Sequence, residues 1–175
     1  AFKLKEMDDK LSLIKPGMRI VDLGAAPGGW CQIIMEKGPE KLVALDILEM
    51  DEMTGVTILQ KDFNDDDAPQ MLIDALGGQA DLVISDIAPN TTGHAKTDHI
   101  RMMALVEMAY DFAVQTLKPG GSFVAKVFQG GAENTLMAQM RKDFETTKHI
   151  KPKASRADSS EQYVVAQGFR GHSKE

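Results

Sequence analysis

Apolar positions along this chain alternate between a helical rhythm and short unbroken runs. Phe2, Leu4, Met7, Leu11 and Ile14 sit close to helical spacing, which predicts a helix over 2–14 ended by Lys15-Pro16-Gly17. The apolar run at 19–24 predicts a strand. It breaks at Gly24, and a helix is expected over 30–36, stopped by Lys37-Gly38-Pro39. Runs at 41–47 (KLVALDI), 56–63 (VTILQKDF) and 81–87 (DLVISDI) predict three more strands, the first nearly all apolar, as a buried parallel strand should be, and the last again apolar. Between the last two, Asn64-Asp65-Asp66-Asp67 is expected to cap a helix over 69–76. A polar loop at 89–97 precedes the longest helix, which should open at Asp98 and carry Ile100, Met103, Ala104, Met108, Phe112 and Leu117 as its apolar stripe. Lys118-Pro119-Gly120-Gly121 reads as a stop before a fifth strand, 121–128 (GSFVAKVF). A helix over 134–144 then leads to 149–153 and to a last strand at 162–166. The alternation predicts an α/β protein with a Rossmann-like, doubly wound, mostly parallel sheet, and an antiparallel strand at one edge.

The 175 residues, 43% of them hydrophobic, fit one domain over 1–175, with the natural N-terminus expected upstream of Ala1. The sequence has no 18-residue apolar run, so no membrane partner is expected. A single cysteine, Cys31, excludes an internal disulfide and suits a cytoplasmic protein. Four histidines without ligand spacing predict no metal site, and His94 and His99 read as surface residues of the polar loop. The net charge of −6 speaks against nucleic acid, but its distribution does not. Residues 46–86 carry 11 acids and one base, Lys61, whereas 141–175 carry eight bases and five acids. Lys3, Lys5, Lys10 and Lys15 add to the N-terminal end. If the two ends meet, Lys3, Lys5, Lys151, Lys153 and Arg156 could hold phosphates; otherwise they are solvated surface lysines and arginine.

The first glycine turn, Gly24-Ala25-Ala26-Pro27-Gly28-Gly29, lies between strand and helix, where nucleotide-binding α/β domains place their ligand. It lacks the G-x-G-x-x-G fingerprint: position 26 is alanine, and Pro27 removes a backbone donor that would grip pyrophosphate. The loop therefore suits a ligand with an adenosine but no phosphate. Three strands end on aspartates, Asp46, Asp62 and Asp86, at the carboxyl edge where such ligands bind. Asp46 is placed to accept from ribose hydroxyls and Asp62 from an adenine amino group; the alternative for each is helix capping. Lys126 lies inside an otherwise apolar strand, where an unpaired ammonium is costly. A desolvated lysine can serve as a general base; a snorkelling lysine or an ion pair with a strand-end aspartate is the other reading.

Taken together, VDLGAAPGGW, ALD, KDF, SDIAPN, LKPGGSFVAKVFQG and SRADSSEQYVVA resemble the FtsJ family of large-subunit ribosomal RNA 2′-O-ribose methyltransferases, in the same order and over nearly the whole chain. The resemblance implies a seven-strand methyltransferase fold, S-adenosylmethionine as cofactor, and a Lys-Asp-Lys-Glu tetrad formed by Lys3, Asp86, Lys126 and Glu161. It also implies cofactor contacts at Gly28, Trp30, Asp46, Asp62 and Asp86. The implied substrate is ribosomal RNA, with a uridine as target and the large ribosomal subunit as context, acted on by a monomer. Two features depart from the family: the basic segment that precedes the first lysine is not part of this sequence, and the net charge is more acidic than an RNA enzyme leads one to expect.

On this reading Lys126 takes the hydroxyl proton or stabilises the alkoxide, Asp86 orients Lys126 and the methionine ammonium, and Glu161 holds Lys3. Competing readings are a 2′-O-methyltransferase for transfer RNA or messenger caps, an NAD-dependent oxidoreductase, and a non-catalytic RNA-binding domain. The oxidoreductase would want glycine at position 26, and the binding domain has no use for Lys126.

Overall fold

A computed structural model describes residues 2–128, 132–153 and 161–171. Seven strands form one sheet: β1 Arg19–Leu23, β2 Lys41–Asp46, β3 Val56–Gln60, β4 Ala80–Ser85, β5 Leu117–Phe128, β6 Phe144–Ile150 and β7 Glu161–Phe169. Their spatial order is β3-β2-β1-β4-β5-β7-β6. The pairs from β3 through β5 are parallel, while β7 runs antiparallel to both β5 and β6. The sheet is therefore doubly wound, with the expected antiparallel pairing at one side. Chain direction diverges between β1 and β4, and that switch point opens the crevice where α/β sheets take ligands.

Five helices cover the sheet: α1 Phe2–Leu11, α2 Gly29–Glu36, α3 Ala68–Leu76, α4 Ala95–Thr116 and α5 Asn134–Asp143. Alternate residues of each central strand enter opposite cores. Val21, Val43, Val83, Phe123 and Val164 pack with α3, α4 and α5, whereas Ile20, Leu42, Leu82, Val124 and Val165 pack with α1 and α2. Both cores are continuous and almost free of polar groups, as the unbroken apolar runs require.

Several boundaries differ from those expected, each for a local reason. The first helix ends at Leu11, not residue 14. Ser12 adopts φ 54°, and the Asp8 carboxylate accepts the Ile14 N–H at 2.7 Å, so Leu13 and Ile14 turn into the core as non-helical residues. The expected cap of α3 is absent: Asp67 makes no side-chain cap and instead meets the Lys61 ammonium at 2.8 Å. The run Lys118-Pro119-Gly120-Gly121 does not stop the chain before β5. Leu117 already pairs with Ala80 and Ser122 with Leu82, so the intervening residues form an irregularity inside the strand. The longest helix opens at Ala95, with Asp98 in its first turn. Its buried face runs through Met102, Met103, Val106, Ala109 and Tyr110, which leaves Ile100 57% exposed and Ala104 outside the core. The polar sequence FETTKHI forms β6, which begins at Phe144, earlier than the 149–153 stretch expected before the last strand; it is an outer strand of the sheet and is half solvated.

The glycine turn brings two loops together at the switch point. Gly24 has φ 75°, and a Cβ there would lie 2.8 Å from the Ile87 nitrogen, a contact no side chain tolerates. The Asp86 N–H donates to Leu23 O at 2.9 Å, and the Gly24 N–H to Leu45 O at 2.8 Å. The ends of β1, β2 and β4 are thereby stitched into one rigid floor.

Candidate active site

Four ionisable side chains from four distant elements meet at the carboxyl edge of the sheet. Lys3 comes from the first turn of α1, Asp86 directly follows β4, Lys126 lies in β5 and Glu161 begins β7. Lys126 Nζ is 3.3 Å from Asp86 Oδ1 and 3.6 Å from Glu161 Oε1, and Lys3 Nζ is 3.1 Å from Glu161 Oε2. Register makes this possible: in the β5–β7 pair Lys126 faces Tyr163 and Phe128 faces Glu161. The Tyr163 hydroxyl donates to Asp86 Oδ1 at 2.9 Å, so that oxygen receives both a phenol and an ammonium.

The cluster carries two cations and two anions, which explains how a lysine only 12% exposed is tolerated within a strand. Of the two readings of Lys126, the ion pair with a strand-end aspartate is present, and it is one arm of this larger network. Burial raises the Asp86 carboxyl above its usual range despite the opposing pull of Lys126 and Tyr163. Burial also pushes on Glu161, but the charges of Lys126 and Lys3 outweigh it and hold that carboxyl below its ordinary value. The two acids therefore differ in character, Glu161 being the firmer anion.

Beside the tetrad a cavity of about 810 Å³ spans the ends of β1 to β4, with Asp46, Asp62, Asp86, Lys126, Arg101 and Lys61 among its lining residues. Asp46 does not cap a helix. Its Oδ2 accepts the Ala26 N–H and its Oδ1 the Leu48 N–H, both at 2.9 Å, so it braces the glycine turn and still faces the cavity. Asp62 Oδ1 accepts both the backbone and side-chain nitrogens of Asn64, at 2.9 and 3.0 Å, and those bonds hold its carboxyl below the usual range. Ile47 and Leu48 line the same cavity and are 61% and 64% exposed, an apolar pair placed where a flat ring would cover it. Carboxylates for hydroxyls, an apolar shelf for a base and no phosphate-binding glycine fingerprint fit an adenosine-containing, phosphate-free cofactor.

Gly28 and Trp30 do not lie on the cavity wall. Gly28 is the N-cap of α2, with φ 121°, and a Cβ there would touch Met53 and Met50 at 3.4 and 3.5 Å. Trp30 is buried with its ring centroid 5.7 Å from that of Tyr163, so it supports the hydroxyl that contacts Asp86. Lys3 and Lys5 stand on α1, and Glu6 of that helix accepts the Lys153 N–H at 2.6 Å, so the two basic ends of the chain do meet. Arg156 lies outside the described residues.

Three side chains escaped the sequence reading. Tyr163 sat in QYVVA without a role, and only the β5–β7 register reveals its contact with Asp86. Arg101 was hidden among the residues of a long helix. Asp22 carried a signal: it is an acid within an apolar strand, as conspicuous as Lys126. It is fully buried, its Oδ2 receives the Cys31 thiol at 3.2 Å, and its Oδ1 has no hydrogen-bond partner among the described residues. Burial pushes its pKa from 3.8 up to about 7, with Asp86 and Asp46 adding to the rise against the thiol's opposing bond.

Comparison with known proteins agrees with this geometry. The FtsJ-like methyltransferase family model matches residues 1–169. A protein of Azorhizobium caulinodans named ribosomal RNA large subunit methyltransferase E is 60% identical over 98% of this chain and 73% of its own length. A protein of the same name from Granulibacter bethesdensis is 57% identical over 97% of the chain and 74% of its length. Among solved structures, a ribosomal RNA methyltransferase of Plasmodium falciparum superposes with a TM-score of 0.85 at 26% identity, covering 98% of this chain and 97% of that one. The cavity, the tetrad and these matches converge: the chain belongs to the FtsJ-like methyltransferase family and takes its methyl group from S-adenosylmethionine.

Proposed function

We propose that this protein methylates the 2′-hydroxyl of a ribose in large-subunit ribosomal RNA, a uridine being the target, and that it acts as a cytoplasmic monomer on the large ribosomal subunit. The observation that carries the reading is the convergence of Lys3, Asp86, Lys126 and Glu161 beside a cavity lined by Asp46, Asp62, Ile47 and Leu48. The names of the relatives support the ribosomal substrate. When bound, S-adenosylmethionine supplies a methyl group activated for in-line displacement by an alcohol oxygen.

Asp46 would receive the cofactor's ribose hydroxyls and Asp62 the amino group of its base, with Ile47 and Leu48 against the ring. Gly28 would act indirectly, its φ of 121° setting the turn into α2, and Trp30 would act from behind through Tyr163. Asp86 would face the methionine ammonium as well as Lys126. Orientation alone can supply several kcal/mol of barrier lowering, and the rigid floor under these groups suits that task. Lys126, gripped between two carboxylates, is fixed in position to hold the alkoxide as it forms; to take the proton of the 2′-hydroxyl it must first release its own. Lys3, anchored by Glu161, adds positive charge on the α1 side of the same oxygen.

The test is methylation of purified large ribosomal subunits with methyl-labelled cofactor, read by nuclease digestion and mass spectrometry. A dinucleotide resistant to alkaline cleavage, carrying one added methyl on ribose, is the expected product. Label found on a base instead of the sugar, or none in the ribosomal RNA, refutes the assignment.

A further inference from the structure

The polar segment from Pro89 to Arg101 has no part in the reaction as described. It rises from the end of β4, forms an exposed loop and enters α4, on the sheet face opposite α1. Its charged and titratable residues are His94, Lys96, Asp98, His99 and Arg101, so Asp98 is its single acid. Asp98 is turned inward: it is 8% exposed, and its Oδ1 accepts the Thr92 N–H and the Thr92 hydroxyl, both at 2.8 Å. What this lip presents to solvent is therefore net positive, in a chain of net charge −6.

Pro89 and Asn90 line the cavity from this segment, and Arg101 is its charged member there. Three cationic side chains line that space, Lys61, Arg101 and Lys126. Lys61 is held by Asp65 and Asp67, at 3.3 and 2.8 Å, and Lys126 by Asp86 and Glu161. Arg101 forms no ion pair within 4 Å among the described residues; Asp98, one turn back, attracts it only through space. A guanidinium is built for bidentate contact with an oxyanion, and an unpartnered one at a cavity mouth is a waiting contact.

We infer that Arg101, in the second turn of α4 behind a loop pinned by the Asp98–Thr92 hydrogen bonds, grips a backbone phosphate of the RNA next to the reacting ribose, so that the strand crosses the sheet edge held from both faces. The inference rests on the proposed RNA substrate. On the α1 face stand Lys3 and Lys5; on the α4 face stand Arg101 and Lys96; the tetrad lies between them on the edge. A strand held on one side alone would pivot about its contact. Gripped on both sides, it presents one ribose to Lys126. Arg101 is thus a substrate-binding residue for RNA, separate from the cofactor's carboxylates and shelf.

The test compares the protein with its Arg101→Ala and Arg101→Lys variants, using a fluorescein-labelled single-stranded oligoribonucleotide and, separately, the demethylated cofactor product. Arg101→Ala should weaken oligonucleotide binding about tenfold at low salt, the loss expected for one charge-assisted contact. It should also lower the slope of log K against log salt by about 0.7, the loss of one single-strand phosphate contact. Arg101→Lys should restore the slope but only part of the affinity, and cofactor affinity should stay within about twofold in both variants, since no cofactor contact is lost. If Arg101→Ala weakens cofactor binding instead, the guanidinium serves the cofactor's carboxylate and the inference fails. It fails equally if slope and affinity are unchanged while the wild type binds RNA. Absence of salt-dependent RNA binding by the wild type would overturn the parent reading, and this inference with it.

Discussion

Replacing Asp22 by asparagine should remove a pH dependence of stability, stabilising the protein near neutrality and changing it little in acid. The carboxyl is fully buried in β1, with one oxygen on the Cys31 thiol and the other unpartnered. Its pKa rises from 3.8 to about 7 on folding, chiefly through burial. An acid whose folded pKa lies above its unfolded value binds more protons folded than unfolded in the window between them, so stability falls as pH rises through that window. Below pH 4 Asp22 is neutral in both states and costs nothing; above pH 7 its full cost is present. A shift from 3.8 to about 7 corresponds to about 4 kcal/mol. Asparagine, nearly isosteric and always neutral, lacks this dependence. Urea unfolding of both proteins at half-unit steps from pH 4 to pH 8 would measure the difference. The variant should gain on the wild type by roughly 1.4 kcal/mol per pH unit across the window, and the gain should level off above it. Parallel stability curves would refute the reasoning and mean that Asp22 is ionised, or solvated, in the native protein.

The remaining expectations concern chemistry and binding. Lys126→Ala should lower single-turnover methylation by about 10²–10⁴-fold with cofactor affinity preserved; Lys126→Arg failing as badly would mark the lysine as proton acceptor, and an active arginine variant would mark it as a fixed charge. Asp46→Ala should weaken cofactor binding by about 1.5–3 kcal/mol in calorimetry, and unchanged affinity would remove Asp46 from the site. Tyr163→Phe removes the only phenol on Asp86, so it should lower the turnover rate without raising the cofactor Kd; a wild-type rate would show that Lys126 alone suffices to orient that carboxylate.

Much of this architecture was legible because buried parallel strands leave unbroken apolar runs, and four of the five strands read that way keep their core residues. Asp46, Asp62 and Asp86 were legible for the same reason: an acid ending an apolar run stands at the carboxyl edge. The phase of α4 was harder to read. One side of that helix faces the sheet and another faces the cavity, so Ala104 and Met108 belong to a wall that is apolar without being core. The bounds of β6 were hard to read because an outer strand half in water has little apolar pattern to show. Tyr163 and Arg101 depend on strand register and on charge pairing across the fold, and neither leaves a mark on local sequence.

The position of β7 has a consequence for the order in which this protein becomes an enzyme. Last of the described strands along the chain, β7 is inserted in space between β5 and β6. It brings Glu161 to Lys3, 158 residues away. Until it docks, β6 has no neighbour in the sheet, the β5 edge that carries Lys126 is open, and Lys3 has no anchor. During synthesis the glycine turn, the cavity floor and Asp46 can form while the ribosome still holds the C-terminal segment. The tetrad cannot. With the roles proposed above, a growing chain gains its capacity to hold a cofactor before its capacity to use one, and catalytic competence waits on closure of the sheet by β7.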